Sequence, residues 1–394
     1  MPDEKEVHAV EPLILDDDLW DELMSLTGGS AAECFQCGTC SATCPWGLVR
    51  QVPLSVRAFM RRAQLGVEDG DEGLWLCTTC AQCEAYCPRG VHIADVFRAL
   101  RTIAWERNQA AHGLPSLMWS VYENHNPWSQ PPSQRGRWAG KLDLPAFDPA
   151  QHEVLLYVGC TSSYDRRAQK IARALVALLE AAGVGYGYLG DQEPCCGESV
   201  LSVGHKPYFQ EIAQQTAQVF QDKGVTRLVA ISPHCYDVFK NHYPRGSGDF
   251  EPVHYTQYLD QLIQAGRLKF SRPLDLRVTF QDPCYLGRHN GEYAAPRRVL
   301  AALPGVELVE MEQAMVDGLC CGGGGGRMWL ETAPGERFSD LRIRQAAEAL
   351  GSAGVLVTAC PFCIVCLEDS AKVLKMPGLQ VRDVAEIAAL ALPG

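Results

Sequence analysis

Leu319–Trp329 reads LCCGGGGGRMW, two adjacent cysteines followed by five consecutive glycines. In an extended segment neighbouring side chains point to opposite faces. Two adjacent thiolates therefore reach one small tetrahedral ion with difficulty, and they suit a larger inorganic body. Glycine lacks Cβ, adopts φ > 0 readily and lets the backbone approach such a body, where exposed N–H groups can hydrogen-bond sulfur. A phosphate-cradling loop is the competing reading, but no G-K-[ST] follows; the next residues are Arg327, Met328 and Trp329.

Outward from this stretch the chain repeats itself. "VLLYVGCTSSY" with Cys160, "EPCCGES" with Cys195 and Cys196, and "LVAISPHCYDVF" with Cys235 are echoed by three later segments. These are "RVTFQDPCYLGR" with Cys284, "LCCGGGG" with Cys320 and Cys321, and "VLVTACPFC" with Cys360 and Cys363, offset by 124 residues at the first cysteine and 125 at the pair. Each unit opens with an apolar, β-branched strand and runs through an alanine-rich helix such as "RRAQKIARALVALLEAAG". Two pseudo-symmetric α/β units are expected, at 151–270 and 271–394, with cysteines gathered at strand C-terminal ends, where open α/β sheets place ligands.

The 394 residues include eighteen cysteines, far more than an ordinary reduced protein uses, and nothing indicates an oxidising compartment. Metal or redox chemistry is the leading explanation. The net charge of -12 makes nucleic acid a poor partner and favours a protein or membrane component with a basic face. No run of about 18 apolar residues suggests a membrane span, and the opening "MPDEKEVHAVEPLILDDD" is too acidic for a secretory signal. The expected location is cytoplasmic, with any attachment to the inner face of the membrane made through a partner.

Ahead of the repeat, "CFQCGTCSATCP" places Cys34, Cys37, Cys40 and Cys44 before Pro45, and "CTTCAQCEAYCP" places Cys77, Cys80, Cys83 and Cys87 before Pro88. Both are C-x2-C-x2-C-x3-C-P, the bacterial ferredoxin signature for a pair of cubane [4Fe–4S] clusters, in which the fourth cysteine of each run serves the other cluster. One cluster would take Cys34, Cys37, Cys40 and Cys87; the other Cys77, Cys80, Cys83 and Cys44. Zinc or a disulfide knot gives no reason for two identical runs. "LSVRAFMRRAQLG" and "IADVFRALRTIAWERNQ" have helical apolar periodicity, so residues 1–115 should form a mainly helical ferredoxin-like module rather than a compact sheet. Residues 123–140, rich in Pro, Asn, Gln, Ser and Gly, mark a linker over 116–150, packed down by Trp128 and Trp138.

The paired ferredoxin runs, the two C…CC-G…C-x-x-C units and the phrases "DPCYLGRHNG", "CCGGGGGRMW" and "TACPFC" resemble the cysteine-rich CCG family. That family includes the catalytic D-type component of membrane-bound heterodisulfide reductase, its DsrK-like relative in the sulfite-reduction complex, and iron–sulfur proteins linked to electron-transferring flavoproteins and quinones. The resemblance implies a noncubane [4Fe–4S] cluster on five cysteines of a complete unit, here Cys284, Cys320, Cys321, Cys360 and Cys363, as the seat of disulfide chemistry. The first unit departs from the pattern. Cys160, Cys195, Cys196 and Cys235 are present, but Ser232 stands where Cys360 stands in the second. It is expected to hold a four-cysteine metal site, zinc or iron–sulfur, with a vestigial structural site as the alternative.

The function implied is an iron–sulfur oxidoreductase subunit that passes electrons through two cubanes to the noncubane cluster, reducing or oxidising a disulfide, thiol or quinone. The alternative is a non-catalytic relay between a flavoprotein and a membrane cytochrome b or quinone. His234 and His289 are candidate proton donors or structural histidines. Arg288 and Arg327 would balance the clusters' negative charge, Asp282 would cap a helix, Gln281 replaces a histidine found in relatives, and Cys366 is a structural thiol.

Overall fold

A computed structural model of the chain describes residues 16–52, 54–67, 72–244, 250–351 and 353–393. The acidic opening run lies, up to residue 15, outside them. From residue 16 to 150 the chain is built of short helices and turns, without a named strand among the described residues. Two parallel sheets follow, and with them the expected architecture is met: a helical iron–sulfur module and two α/β units.

The first sheet takes the order β2-β1-β3-β4, from β1 (Val154–Tyr157), β2 (Tyr186–Gly187), β3 (Arg227–Ala230) and β4 (Glu251–His254). The second repeats it as β6-β5-β7-β8, from β5 (Leu276–Gln281), β6 (Val306–Leu308), β7 (Gly354–Thr358) and β8 (Leu379–Asp383). All pairings are parallel. The central strands VLLY and GVLVT are apolar because helices cover both faces, which is the pattern of a buried parallel sheet. In this order the chain leaves the central strand in one direction and returns on its other side. The crevice between β1 and β3, and between β5 and β7, is therefore the topological switch point, where such sheets open to ligands. Cys160 and Cys235 follow β1 and β3, Cys284 and Cys360 follow β5 and β7, and the adjacent cysteine pairs follow the flanking strands β2 and β6.

The units exchange supports. The last helix of the second, Val384–Leu390, packs on the long helix Gln169–Ala181 of the first; the last helix of the first, Tyr255–Gln264, packs on the first helix of the second, Ala294–Ala301. Buried Tyr255 donates to Asp383 Oδ1 at 2.6 Å, and Arg167 donates to the Val381 carbonyl and Glu386 across the same seam. The expected linker contains most of the helix Leu114–Asn124 and the 3-10 turn Pro132–Ala139. Its Trp138 is buried, and it contributes a residue to the first unit's site.

Three modules meet at Arg101. Its side chain is fully buried and donates to the carbonyls of Leu74 and Cys77 in the ferredoxin-type module, Ser202 in the first unit and Gly325 in the second. Burial pushes its pKa down to about 10, so it stays charged at neutral pH, and four carbonyl dipoles take the place of water around it.

Candidate metal centres

The two cysteine runs of the helical module form matching loops. Gln36 and Gly38 in the first and Thr79 and Ala81 in the second hold equivalent positions, and all four have φ between +50° and +88°. Left-handed backbone at a residue other than glycine is costly, about 1–3 kcal/mol each, and is kept where a loop must turn its N–H groups inward. The Thr79 amide donates to Cys77 Sγ at 3.4 Å and the Val91 amide to Cys87 Sγ at 3.4 Å. Such a loop suits an anionic body held by sulfur.

Cys34, Cys37, Cys40 and Cys87 line one small cavity with Phe35, Met60, Val91 and Ile93, so the fourth cysteine of the second run joins three from the first. Cys44 lies within electrostatic reach of Cys77 and Cys80, and Cys83 of Cys77, Cys80 and Cys44. Burial pushes the thiols of Cys44, Cys77 and Cys83 up, as expected of sulfurs that become thiolates only on meeting metal.

In the second unit the five cysteines form one continuous string. Cys284 neighbours Cys320, Cys320 neighbours Cys321, and Cys363 neighbours Cys360, with the Cys321 and Cys363 sulfurs 3.3 Å apart. The string continues in both directions beyond the unit. Cys320 Sγ meets Cys80 Sγ of the ferredoxin-type module, and Cys360 accepts a hydrogen bond from His234 of the first unit. Burial alone would raise the Cys360 thiol, but hydrogen bonds from Cys363 and His234 outweigh it and bring the thiol down to about 5. Burial opposes the charge on His234, and the carboxylate of Glu198, 3.0 Å away, together with Cys360 holds its pKa well above the usual imidazole value.

The glycine run corrects the expectation that it faces an inorganic body along its length. A Cβ on Gly324 would come to 2.5 Å from the Thr78 carbonyl oxygen, one on Gly325 to 2.3 Å from the Cys77 carbonyl oxygen, and one on Gly326 to 2.4 Å from Val203. The close approach is therefore between protein backbones, and it brings the second unit against the second cysteine run. Sulfur lies against the first two glycines of the run: the Gly322 amide donates to Cys320 Sγ at 3.3 Å, and Gly323 faces Cys366 Sγ and Met328 Sδ.

The first unit repeats the string with four members. Cys160 neighbours Cys195, Cys195 neighbours Cys196, and the Cys196 and Cys235 sulfurs lie 3.2 Å apart. Ser232 begins the helix Pro233–Asn241 as Cys360 begins Pro361–Val373, and its hydroxyl accepts from the His234 amide at 3.3 Å. Sequence reasoning missed Arg135. It is buried, donates to Glu193 at 2.8 Å and lies 3.5 Å from Cys160 Sγ, while Glu193 also accepts from the amides of Val158 and Gly159. No spacing tied Arg135 to a cysteine 25 residues later. Among the described residues no three His, Cys, Asp or Glu side chains converge closely enough for a single metal ion.

Burial lowers His289 to about 4, so it is neutral, and its Nε2 donates to the Thr79 carbonyl at 2.8 Å while its ring stacks on Tyr285. Arg288 donates to the carbonyls of Cys80, Val316 and Gly318 and balances nearby sulfurs. Arg327 sits farther out, bonded to the Glu331 carbonyl and Thr332 and over the Trp46 ring. Asp282 forms a bidentate pair with Arg297 and accepts from the amide of Met315, the first residue of the 3-10 turn Met315–Asp317. Gln281 orients Arg342 and bonds the Leu319 carbonyl at the entrance to the cysteine pair, and Cys366 packs on Met328 Sδ at 3.6 Å.

Known proteins share this arrangement. A cysteine-rich domain model matches residues 154–240 and again 278–368, and a 4Fe-4S dicluster domain model matches 30–91, which contains all eight cysteines of the runs. The D component of the dihydromethanophenazine:CoB–CoM heterodisulfide reductase of Methanosarcina barkeri is 32% identical over 91% of this chain and 93% of its own length. The chain belongs to the family of that heterodisulfide reductase component. Its fold and its iron–sulfur character follow from that membership. The EtfAB:quinone oxidoreductase of Syntrophomonas wolfei is 36% identical over 81% of this chain and 46% of its own length. The probable iron-sulfur-binding oxidoreductase FadF of Bacillus subtilis is 35% identical over 82% and 47%. The chain thus spans about half the length of these two family members. Among the described residues no helix is long and apolar enough to cross a membrane.

Proposed function

We propose that this protein moves electrons from the ferredoxin-type module to the five-cysteine site of the second unit, where a disulfide or thiol-type substrate is reduced or oxidised, as part of a heterodisulfide-reductase-like complex. The observation that carries the reading is the contact of Cys80 with Cys320, which makes the two cysteine sets neighbours without an intervening residue. Clusters bound there, cubanes on the two runs and a noncubane cluster on the five cysteines, would supply one-electron transfer and an iron able to take a substrate sulfur.

The chain's own residues supply position and protons. The Gly324–Gly326 backbone and Arg101 lock the second unit on the Cys77–Thr78 loop. Reducing a disulfide to two thiols consumes two electrons and two protons. His234, charged by Glu198 and bonded to Cys360, holds one proton at the seam between the units, and Ser202 donates to Glu198 at 2.6 Å. In the first unit, Arg135 compensates the sulfurs and Ser232 leaves four thiols, which do not converge on a single ion and so favour a structural iron–sulfur site over zinc.

The name of the Syntrophomonas relative supports a second reading, a relay between an electron-transferring flavoprotein and a quinone or membrane cytochrome b, without substrate contact. Anaerobic stopped-flow separates the two. The chain, reduced until its cubane absorbance bleaches, should be reoxidised by at least one member of a panel of low-molecular-weight disulfides, including the CoB–CoM heterodisulfide. Reoxidation by quinones alone would leave the relay reading standing and remove the disulfide one.

A further inference from the structure

Cys37 is the one exposed cysteine of the eighteen. Beside it Phe35 is 60% exposed, an unusual setting for an aromatic ring next to a cysteine cavity. The helix Val56–Gln64, VRAFMRRAQ, flanks this opening with three arginines and no acidic residue. Its buried face is Val56, Phe59, Met60 and Ala63, so Arg57, Arg61 and Gln64 form an outward row. Gln64 fixes that row against the loop by donating to the Cys34 carbonyl at 2.7 Å and accepting from Gln36 at 2.9 Å. The Arg57 stem lies over Gly38. Arg57 and Arg61 stand one turn apart and have no ion pair among the described residues; like charges at that spacing disfavour the helix, so local stability does not explain them. The chain as a whole carries -12.

We propose that Phe35, Arg57 and Arg61 around Cys37 form the docking surface for an acidic redox protein, with the arginines steering it and Phe35 as the apolar centre of the contact. Electrons enter or leave at Cys37, the cysteine nearest to water. A basic rim on a molecule of net charge -12 selects a partner whose own acidic face surrounds its redox group, because the chain as a whole repels such a partner. The proposal rests on the reading that Cys34, Cys37, Cys40 and Cys87 hold a cluster.

The test uses the anaerobically purified full chain with its iron and a photoreduced flavodoxin, a small acidic flavin protein, as probe. The rate constant for cubane reduction should fall about tenfold as salt rises from about 20 to about 200 mM. Arg61→Glu should lower the low-salt rate about tenfold and weaken flavodoxin binding measured by titration calorimetry, and Arg57→Gln should do so to a smaller extent. A photoreduced neutral deazaflavin should reduce the Arg61→Glu chain at the wild-type rate. An unchanged flavodoxin rate in Arg61→Glu would overturn the proposal. So would loss of cosedimentation with phosphatidylglycerol vesicles at an unchanged flavodoxin rate, which would make the patch a lipid-binding one. Absence of cubane signals from the wild-type chain would remove the cluster reading and the proposal together; signals with a salt-independent rate would remove the docking surface alone.

Discussion

At the residue scale the decisive side chains are buried charges that serve carbonyls. Arg101 satisfies four of them in three modules. Replacing it by methionine keeps the stem and leaves those carbonyls without a donor, so Arg101→Met should cost about 3–5 kcal/mol, measured by denaturant unfolding of the anaerobic chain. Arg101→Lys, with a single ammonium nitrogen to donate, should fall between; a loss under about 1 kcal/mol in the methionine variant would show that the modules hold together without this residue. Asp383 carries a different signal. Burial raises its carboxyl from the ordinary range to about 8, against the hydrogen bonds from Tyr255 and the Ala385 amide that favour ionisation. A raised folded-state pKa means that the folded chain keeps a proton the unfolded chain has lost. The resulting stability is complete below about pH 4 and disappears as pH rises through about 8. The wild type should therefore lose more thermal stability than Asp383→Asn between about pH 6 and pH 8, and equal slopes would refute the assignment.

At the element scale the five-glycine run is a joint between modules. Gly325 has φ +60° and its Cβ position is filled by the Cys77 carbonyl, whereas Gly335, with φ +85°, has open space around it. Gly335→Ala should cost only backbone strain, about 1–2 kcal/mol. Gly325→Ala adds a backbone clash that no side-chain rotation relieves, and should cost at least twice as much and slow electron passage from the ferredoxin-type module to the second unit. Rapid-freeze paramagnetic spectroscopy of the two variants checks both claims; indistinguishable kinetics would mean that the contact is slack. The run also shows where sequence reasoning stopped. The need for close approach was legible in the glycines, because only a residue without Cβ permits it. What approaches was not, because the Cys77–Thr78 loop lies more than 240 residues earlier, and no local pattern names a distant partner. The strand–cysteine repeats, by contrast, were readable in full: apolar, β-branched strands and their cysteines recur at a fixed offset, and the two four-stranded sheets carry them in identical order. Arg135 and Glu198 were missed for the reason the loop was, since each acts on a site assembled by tertiary packing.

Across the molecule as a whole, duplication has produced two units with the same scaffold and different chemistry, and the difference can be measured. The second unit presents five thiols in a string that touches the ferredoxin-type module at Cys80, while the first presents four, with Ser232 engaged at a helix start and Arg135 against Cys160. Cys321 and Cys196 hold matching places, each paired closely with the C-x-x-C cysteine of its own unit, Cys363, or with its counterpart Cys235. If the two units did the same work, alanine at either place would have the same effect. The geometry argues otherwise, because only Cys321 belongs to the set that continues to Cys80. Cys321→Ala should abolish substrate-linked reoxidation and remove the unusual cluster's paramagnetic signal while sparing the cubane signals. Cys196→Ala should leave that signal in place and lower the thermal midpoint, because a structural metal contributes folding free energy directly. Iron and zinc analysis of both variants completes the comparison. Loss of the same signal from both, or disulfide-linked turnover surviving in Cys321→Ala, would establish that the two units act as equals and that Ser232 does not set them apart.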